Sequence, residues 1–587
     1  MLEIFEWIVD KLSGFDFWFF IILLAIGRVG WHYLGLPKKK TTEHKTFKRQ
    51  LLFAGSLVVI FVLGIYLHRL YSSLDFIFPT DVAGILILRI EGDDEKNSLQ
   101  RDLVSTLNAE LSQEKLVYKT EVRTHDETVT EALGLTSGHA KAREVGKNAK
   151  ALLVIWGNRV GEKKFHPRLT IVEDWTRALT VSERTLKVQN ITEVSLPAEL
   201  VNQPIYLTHF VAGFNSYFRE NYATAITHFK AALSRPVENS IDLNDIRFYT
   251  GSSHFEFAKG QTEMAWHLEQ AIAYYNRVLD FYTEQNFPQK WANTQNNLGA
   301  AYWSLPTGNR SENLQKAIAC YEAALRVRTE KDFPLDWART QNNLGAAYWN
   351  LPTGDHGENL RKAIAAYEAA LRVYAEKNFT VDWIITQNNL GSAYAKLSVG
   401  DRSANLRKAI SAYEVALRVC SEKEFPVEWA SIQNNLGFAY SSLPTGDRNE
   451  DLRKAIICYE AALRVRIEKN FPKDWASTQN NLGSAYWSLT TGDRGANLQM
   501  AITAFEAALR VYNENNFPLD WARIQNSLGA AYVKLPFGDR RENLTKAISC
   551  FENALKIWTP QAFPDYHQIA AAHLNGTQSE LEKLLWK

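Results

Sequence analysis

Cysteine is scarce in this chain of 587 residues: there are four, with no Cys-x-x-Cys pair and no Cys/His cluster. That excludes a disulfide scaffold and a zinc site of finger or ribbon spacing. No cysteine precedes Cys320, so the first half of the chain has no thiol nucleophile. Net charge is also lacking. Lys and Arg total 66 against 65 Asp and Glu, a formal +1, which argues against a polyanion-binding surface; nucleic acid is not expected as a partner. Neither Gly-x-Gly-x-x-Gly nor a P-loop occurs, so a nucleotide would find no glycine-rich phosphate cradle. His125, beside Asp126, and His139 have no companions at ligand or triad spacing. Glu91, Asp93, Asp94 and Glu95 follow a predicted strand, where α/β sites often sit, but spacing places no convergent partner beside them. A solvated acidic turn is the simpler reading. These absences leave no catalytic residue, no metal ligand and no cofactor to name, and the chain is not expected to be an enzyme.

What the sequence has in abundance is regularity. Tryptophan recurs at 291, 337, 383, 429, 475 and 521, every 46 residues. Each unit reads like the first: Trp291-Ala292-x-x-Gln295-Asn296-Asn297-Leu298-Gly299, then Tyr302, Leu305-Pro306-Thr307-Gly308, Asn313-Leu314, Ala317-Ile318, Tyr321 and Ala324-Leu325. A fixed period of this size marks a solenoid whose units cannot bury their apolar faces alone. Trp291, Leu298, Tyr302 and Leu305 share one helical stripe, and Leu314, Ile318, Tyr321 and Leu325 another. Pro288 suits the start of the first helix, Pro306 and Gly308 end it, and Asn313 is expected to cap the second. The Gly-Asp-Arg tripeptide of the connecting loop, as at Gly446-Asp447-Arg448, is expected to be structural. Its Asp would turn back onto nearby amides and its Arg would reach a neighbouring unit; a row of phosphate-binding arginines is the alternative.

Gly299, Tyr302, Ala317, Tyr321 and Ala324, and again Gly345, Tyr348, Ala363, Tyr367 and Ala370, resemble the signature of tetratricopeptide repeats. Their ordinary period is 34 residues. The unit here is similar to a long variant seen in bacteria, often cyanobacteria, and often fused to protease or NTPase domains. The resemblance covers about residues 205–575 and implies an α-solenoid that binds proteins or peptides in a concave groove. The expected organisation is mainly α. A membrane anchor over 1–75 and a small α/β domain over 80–200 lead into two irregular repeats over 205–285. Six 46-residue repeats fill 286–558, and C-terminal capping helices follow over 559–587.

The anchor is read from two apolar runs, about 17–36 and 51–70. Phe17–Leu36 is broken only by Arg28 and His32, Leu51–Leu67 contains no charge, and Trp18, Trp31, Tyr33, Tyr66 and Tyr71 lie near the ends of the two runs. Each is long enough to cross a hydrocarbon core of about 30 Å. The acidic leader with Glu3, Glu6 and Asp10 is unlike a secretory signal. Lys38, Lys39, Lys40, Lys45, Lys48 and Arg49 make the link 37–50 basic, hence cytoplasmic, and place the remaining domains outside the cytoplasm. For the α/β domain, strands are expected at Val82–Ile90, Lys119–Arg123, Ala151–Trp156, Phe165–Val172 and Ala178–Val188. Helices are expected at Ser98–Leu111 and Ser137–Ala149. The segment from Ala142 to Gly157 resembles the amino-terminal α/β domain of TolB-type proteins.

With Gly299 as register mark, the resemblance places Asn293, Asn296, Ala300 and Trp303 on the groove face. The second position is Asn in all six units: Asn296, Asn342, Asn388, Asn434, Asn480 and Asn526. A carboxamide both donates and accepts, so such a row is suited to hold an extended peptide backbone. Trp303, Trp349 and Trp487 would add apolar anchors, and Arg339 and Arg523 would select acidic side chains. The competing reading is that the Asn296 series bonds neighbouring repeats, as the adjacent Asn297 series is expected to do. The leading function is a membrane-anchored scaffold or sensor whose partners are a protein or peptide ligand and the lipid bilayer. A signalling or antiviral-defence effector, whose repeats sense a trigger and whose membrane helices act on the bilayer, is the second, and self-association is left open.

Overall fold

The computed structural model describes residues 83–89, 104–105, 120–128, 140–142, 144–145, 153–160, 164–171, 193–195 and then 204–586, apart from 219, 235–240, 260–262, 376–378 and 445. The two apolar runs expected to cross the membrane lie outside these. Among the described residues no helix is long and apolar enough to span a bilayer.

The β-rich runs before residue 200 form one five-stranded sheet. Strands β1 (Ala83–Arg89), β2 (Thr120–Thr128), β3 (Leu153–Val160), β4 (Lys164–Ile171) and β5 (Glu193–Ser195) lie in the order β2-β1-β3-β4-β5. β1 runs parallel to β2 and β3, and β4 antiparallel to β3 and β5. The parallel pairs need crossovers; residues 104–105 and 140–145 (143 apart) are helical where those crossovers fall. Four expected strands are where the sequence put them. The fifth described strand is β5, whereas 178–188 lies outside the described residues. Ile155 of β3 is buried in one cluster with Phe210, Val211 and Phe214, and β5 lies against the helix 241–257 of the repeat array.

From residue 204 the chain is a helical solenoid. Two irregular hairpins come first: α1 (Pro204–Phe218) with α2 (Tyr222–Leu233), and α3 (Ile241–Phe257) with α4 (Met264–Leu279). Six regular ones follow: α5 (Pro288–Ser304) with α6 (Arg310–Val327), α7 (Pro334–Asn350) with α8 (His356–Val373), and α9 (Thr380–Lys396) with α10 (Arg402–Leu417). The other three are α11 (Pro426–Ser442) with α12 (Arg448–Val465), α13 (Pro472–Ser488) with α14 (Arg494–Leu509), and α15 (Pro518–Lys534) with α16 (Arg540–Ile557). The array ends on α17 (Pro564–Leu585), one continuous helix where two short ones were expected.

Each hairpin closes on a glycine. A Cβ on Gly299 would lie 2.8 Å from the Tyr321 ring, and one on Gly437 the same distance from Tyr459. The signature glycine is thus the gap into which the aromatic of the second helix packs, and its low helix propensity is offset by that contact. The connecting loop is fixed from both sides. Gly446 takes φ +110, open to glycine, and Asp447 Oδ1 accepts from the amides of Asn449 (3.0 Å) and Glu450 (3.1 Å). Arg448 donates to the Ser441 carbonyl at 2.5 Å, capping the preceding helix of its own repeat rather than reaching a neighbour. Arg310, Arg402 and Arg540 do the same at Trp303, Ala395 and Val533, and Arg540 also makes the expected bridge to a neighbour, reaching Glu580 of α17 at 2.6 Å. The helix cap is therefore Asn309 or its Asp counterparts. The expected cap, Asn313, is instead buried and donates to the Thr307 carbonyl at 2.8 Å, because the helix begins one turn earlier.

Neighbouring units are joined on the outside by a recurrent pair. Arg326 bonds Glu284 at 2.8 Å and lies 5.1 Å from the Trp291 ring centroid; Arg372 with Glu330 and Trp337, and Arg464 with Glu422 and Trp429, repeat the geometry. Where irregular and regular repeats meet, the buried Asp245 accepts from Tyr282 (2.6 Å) and Lys290 (2.7 Å). The described cysteines are core residues: burial pushes the Cys320, Cys420 and Cys550 thiols up to about 12 and Cys458 to about 11, which leaves them unreactive.

Removing the cap by Asp447→Ala should lower stability by about 0.5–2 kcal/mol and lower the thermal midpoint followed by circular dichroism. Asp447→Asn should restore it, since Asn309 fills that role in the first regular unit.

Candidate functional site

The first helices of successive regular units, α5, α7, α9, α11, α13 and α15, pack directly on one another and on α17, whereas the second helices are not packed together to that extent. The first helices therefore form the inner layer of the array, and the four groove positions expected from sequence all lie on it.

The asparagine series is mostly engaged between repeats. Asn296 is fully buried, and its Oδ1 accepts from Asn343 Nδ2 (3.2 Å) and Thr340 Oγ1 (3.4 Å) of the next unit. Asn342 accepts from Asn389 (3.4 Å) and Thr386 (3.3 Å), and Asn434 from Asn481 (3.3 Å) and Thr478 (3.2 Å). Asn388 accepts from Asn435 at 3.0 Å, and Asn526 lies 3.1 Å from His573 Nδ1 on α17. Asn480 breaks the series. Its next unit has Ser527 where the preceding four offer an asparagine donor, and Ser527 turns to the Arg523 carbonyl at 3.1 Å. The half-buried carboxamide of Asn480 has no hydrogen bond within the described residues.

The position of Asn293 is held from behind by a residue that sequence reading missed, at the end of each second helix. Arg328, only 2% exposed, donates to Asn293 Oδ1 and to Thr340 Oγ1, both at 2.6 Å. Burial lowers its pKa to about 10, a cost partly offset by the nearby Asp336 carboxylate, and the guanidinium stays charged at neutral pH. Arg466 repeats this with Ser431 (3.0 Å) and Thr478 (3.1 Å). Tyr374 fills the position in the second unit and is hydrogen-bonded by Arg339, whose Nη1 also lies 3.7 Å from Asp336. Arg339 is thus built into the wall. Arg523 is not: its side chain is exposed and reaches the exposed Asp520 at 2.6 Å. The signal for the buried arginines was a polar residue within the apolar Tyr374, Cys420, Tyr512 and Trp558 series, visible only once the units are aligned at that column.

The tryptophans are half-buried and each is covered by a cation. Arg310 lies 5.4 Å from the Trp303 centroid, Lys396 3.6 Å from Trp349, and Lys534 5.0 Å from Trp487. In the third and fourth units that position is Ala395 and Ser441. The adjoining position is small in five units (Ala300, Ala346, Ser392, Ser484, Ala530) and Phe438 in the fourth, where the ring is 44% exposed. Among the described residues no group of three or more His, Cys, Asp or Glu is placed to hold a metal ion.

No protein-family model matches the chain, and no curated protein does. Solved structures resemble it at low identity. A Rap protein complexed with competence and sporulation factor is 14% identical over 64% of this chain and 98% of that one, with a TM-score of 0.36. The TPR domain of P58(IPK) is 14% identical over 66% of this chain and 91% of its own, at 0.22. The human IFIT1 dimer with m7Gppp-AAAA is 14% identical over 65% and 81%, at 0.30. All are helical-repeat likenesses.

Asn434→Ala removes the acceptor of Asn481 Nδ2 in the next unit and leaves it unpaired, while Thr478 keeps the Asp474 carbonyl, a loss of about 1–3 kcal/mol. The thermal midpoint should fall. Asn480→Ala, with no hydrogen bond to lose, should leave it unchanged, and equal effects would show that the inter-repeat bonds do not carry the difference.

Proposed function

We propose that this protein is a membrane-anchored scaffold or sensor whose inner helical layer captures an extended segment of a protein or peptide. The observation that carries this reading is the pre-organised inner face. Its polar side chains are held in place by the next repeat or by a buried arginine, so little rotamer freedom is lost when a ligand settles on them. Within this reading the Asn296, Asn342, Asn388, Asn434 and Asn526 carboxamides act mainly through the repeats they join. The ligand meets what they leave open: small side chains, the edges of Trp303, Trp349 and Trp487, and exposed cations such as Arg523. Peptide is favoured over nucleic acid because the formal charge of the chain is only +1.

The anchoring half of the proposal rests on the sequence: two apolar runs of spanning length joined by a basic link. The link 37–50 is assigned to the cytoplasmic face and the repeats to the opposite one. Anchored scaffolds of this kind hold their ligand at the bilayer surface.

Two measurements test these parts separately. Peptides selected from a random library by the detergent-solubilised full chain, re-synthesised with a photo-crosslinking residue, should label tryptic fragments from the first helices. Labels confined to second helices would move the site to the outer face, and a library yielding no binder would sink peptide capture. Alkaline carbonate should leave the full chain in the membrane pellet; release into the supernatant would remove the anchor.

A further inference from the structure

Resting on the groove reading above, we infer that the ligand is seated on the fourth to sixth regular units and is an extended peptide with an apolar and an acidic side chain about six or seven residues apart. Three departures from the repeat converge there. At the first, the tryptophan position of the fourth unit is the small Ser441, and Phe438, alone among the residues at the adjoining position, stands beside it with its ring exposed. Asn480 is the one member of its series whose carboxamide is not engaged by the following unit. Arg523 is exposed, whereas Arg339 at the equivalent position in the second unit is tied into the wall.

The lattice places these groups in reach of one chain. Ser392 Oγ and Asn435 Nδ2 lie 3.5 Å apart, so residues 43 apart face each other on adjacent first helices. The same offset sets Arg523 beside Asn480. A carboxamide offers one donor and one acceptor, matching the N–H and C=O of a single extended residue. A carboxylate next to that residue would meet the guanidinium, whose present partner, Asp520, is itself exposed and weakly held. Lys534, on the same helix as Arg523, is exposed as well and adds to the attraction. Neighbouring helix axes are about 8–10 Å apart, and Phe438 and Arg523 differ by seven positions along their helices, about 10 Å, so the diagonal between them is about 19–23 Å, or six to seven residues of extended chain at about 3.3 Å each. Phe438 on α11 would pack the apolar side chain at one end, Asn480 on α13 would hold the backbone, and Arg523 on α15 would take the acid.

The test is an array of capped 11-residue peptides of Ser and Gly carrying one Leu and one Asp, in both orders and at separations of two to eight, probed with the solubilised full chain. Retention should peak at separations of about six and seven, and replacing Asp by Lys should weaken it at least tenfold. Phe438→Ala and Asn480→Ala should each weaken it at least tenfold without moving the thermal midpoint. Arg523→Glu should switch preference to the Lys peptides. Retention indifferent to spacing, or unchanged in Asn480→Ala, overturns this seat. If library peptides still label the first helices in that case, the groove reading survives alone; if none bind, both fall.

Discussion

The array depends on the close approach of two helices at a glycine. With an aromatic ring of the second helix seated where the first helix has no Cβ, as Tyr321 is against Gly299, the hairpin can close only in one rotation. That rotation fixes which residues of the first helix face the partner helix, which face the next unit and which face the inner layer. The loop then has little freedom. Asp447 caps one helix and Arg448 the other, across a glycine of positive φ. These contacts are local, so every unit builds itself the same way and needs its neighbours only to cover what remains apolar.

What remains is covered by two ladders of different chemistry. On the outside, arginine bridges to the glutamate of the preceding unit and lies over its own tryptophan. Side-chain hydrogen bonding to Arg326 lowers the Glu284 carboxyl from its usual range. On the inside, carboxamides and hydroxyls bond across the seam and are largely out of water. Each such bond left unmade would cost more than its presence gains, so the inner seam is where a substitution in one unit must be matched in the next. Ser527, in place of the asparagine of the other units, is such a substitution, and its consequence is the disengaged Asn480.

The start of the array is built differently. His254 and His267 lie in contact at 2.9 Å between Nδ1 atoms, with burial as the main cause lowering His254 to about 3, so both rings are neutral at pH 7. Aromatic packing of Phe210, Phe214, Phe229 and Tyr249 replaces the Trp-centred pattern, and Ile155 of the sheet joins that core. The sheet thus meets the irregular repeats, with β5 against α3 and Ile155 in their apolar core.

The hairpin, its period and the start and stop of each first helix were legible in the chain alone. All of these follow from residues a few positions apart whose helical phase can be counted. Sheet strands at 83–89, 120–128, 153–160 and 164–171 were legible for the same reason. The sequence alone could not decide what each inner side chain is for. Asn296 and Asn480 are the same residue in the same phase, and one is committed while the other is not, because the deciding partners sit 44 and 47 residues further on in another helix. Arg328 and Arg466 were invisible as parts of the inner wall, since a charged residue at a helix end reads as solvated until the next unit is seen to close over it. The asparagine cap was misplaced by one turn, from Asn309 to Asn313, because both fit a cap by type and only the backbone geometry chose between them.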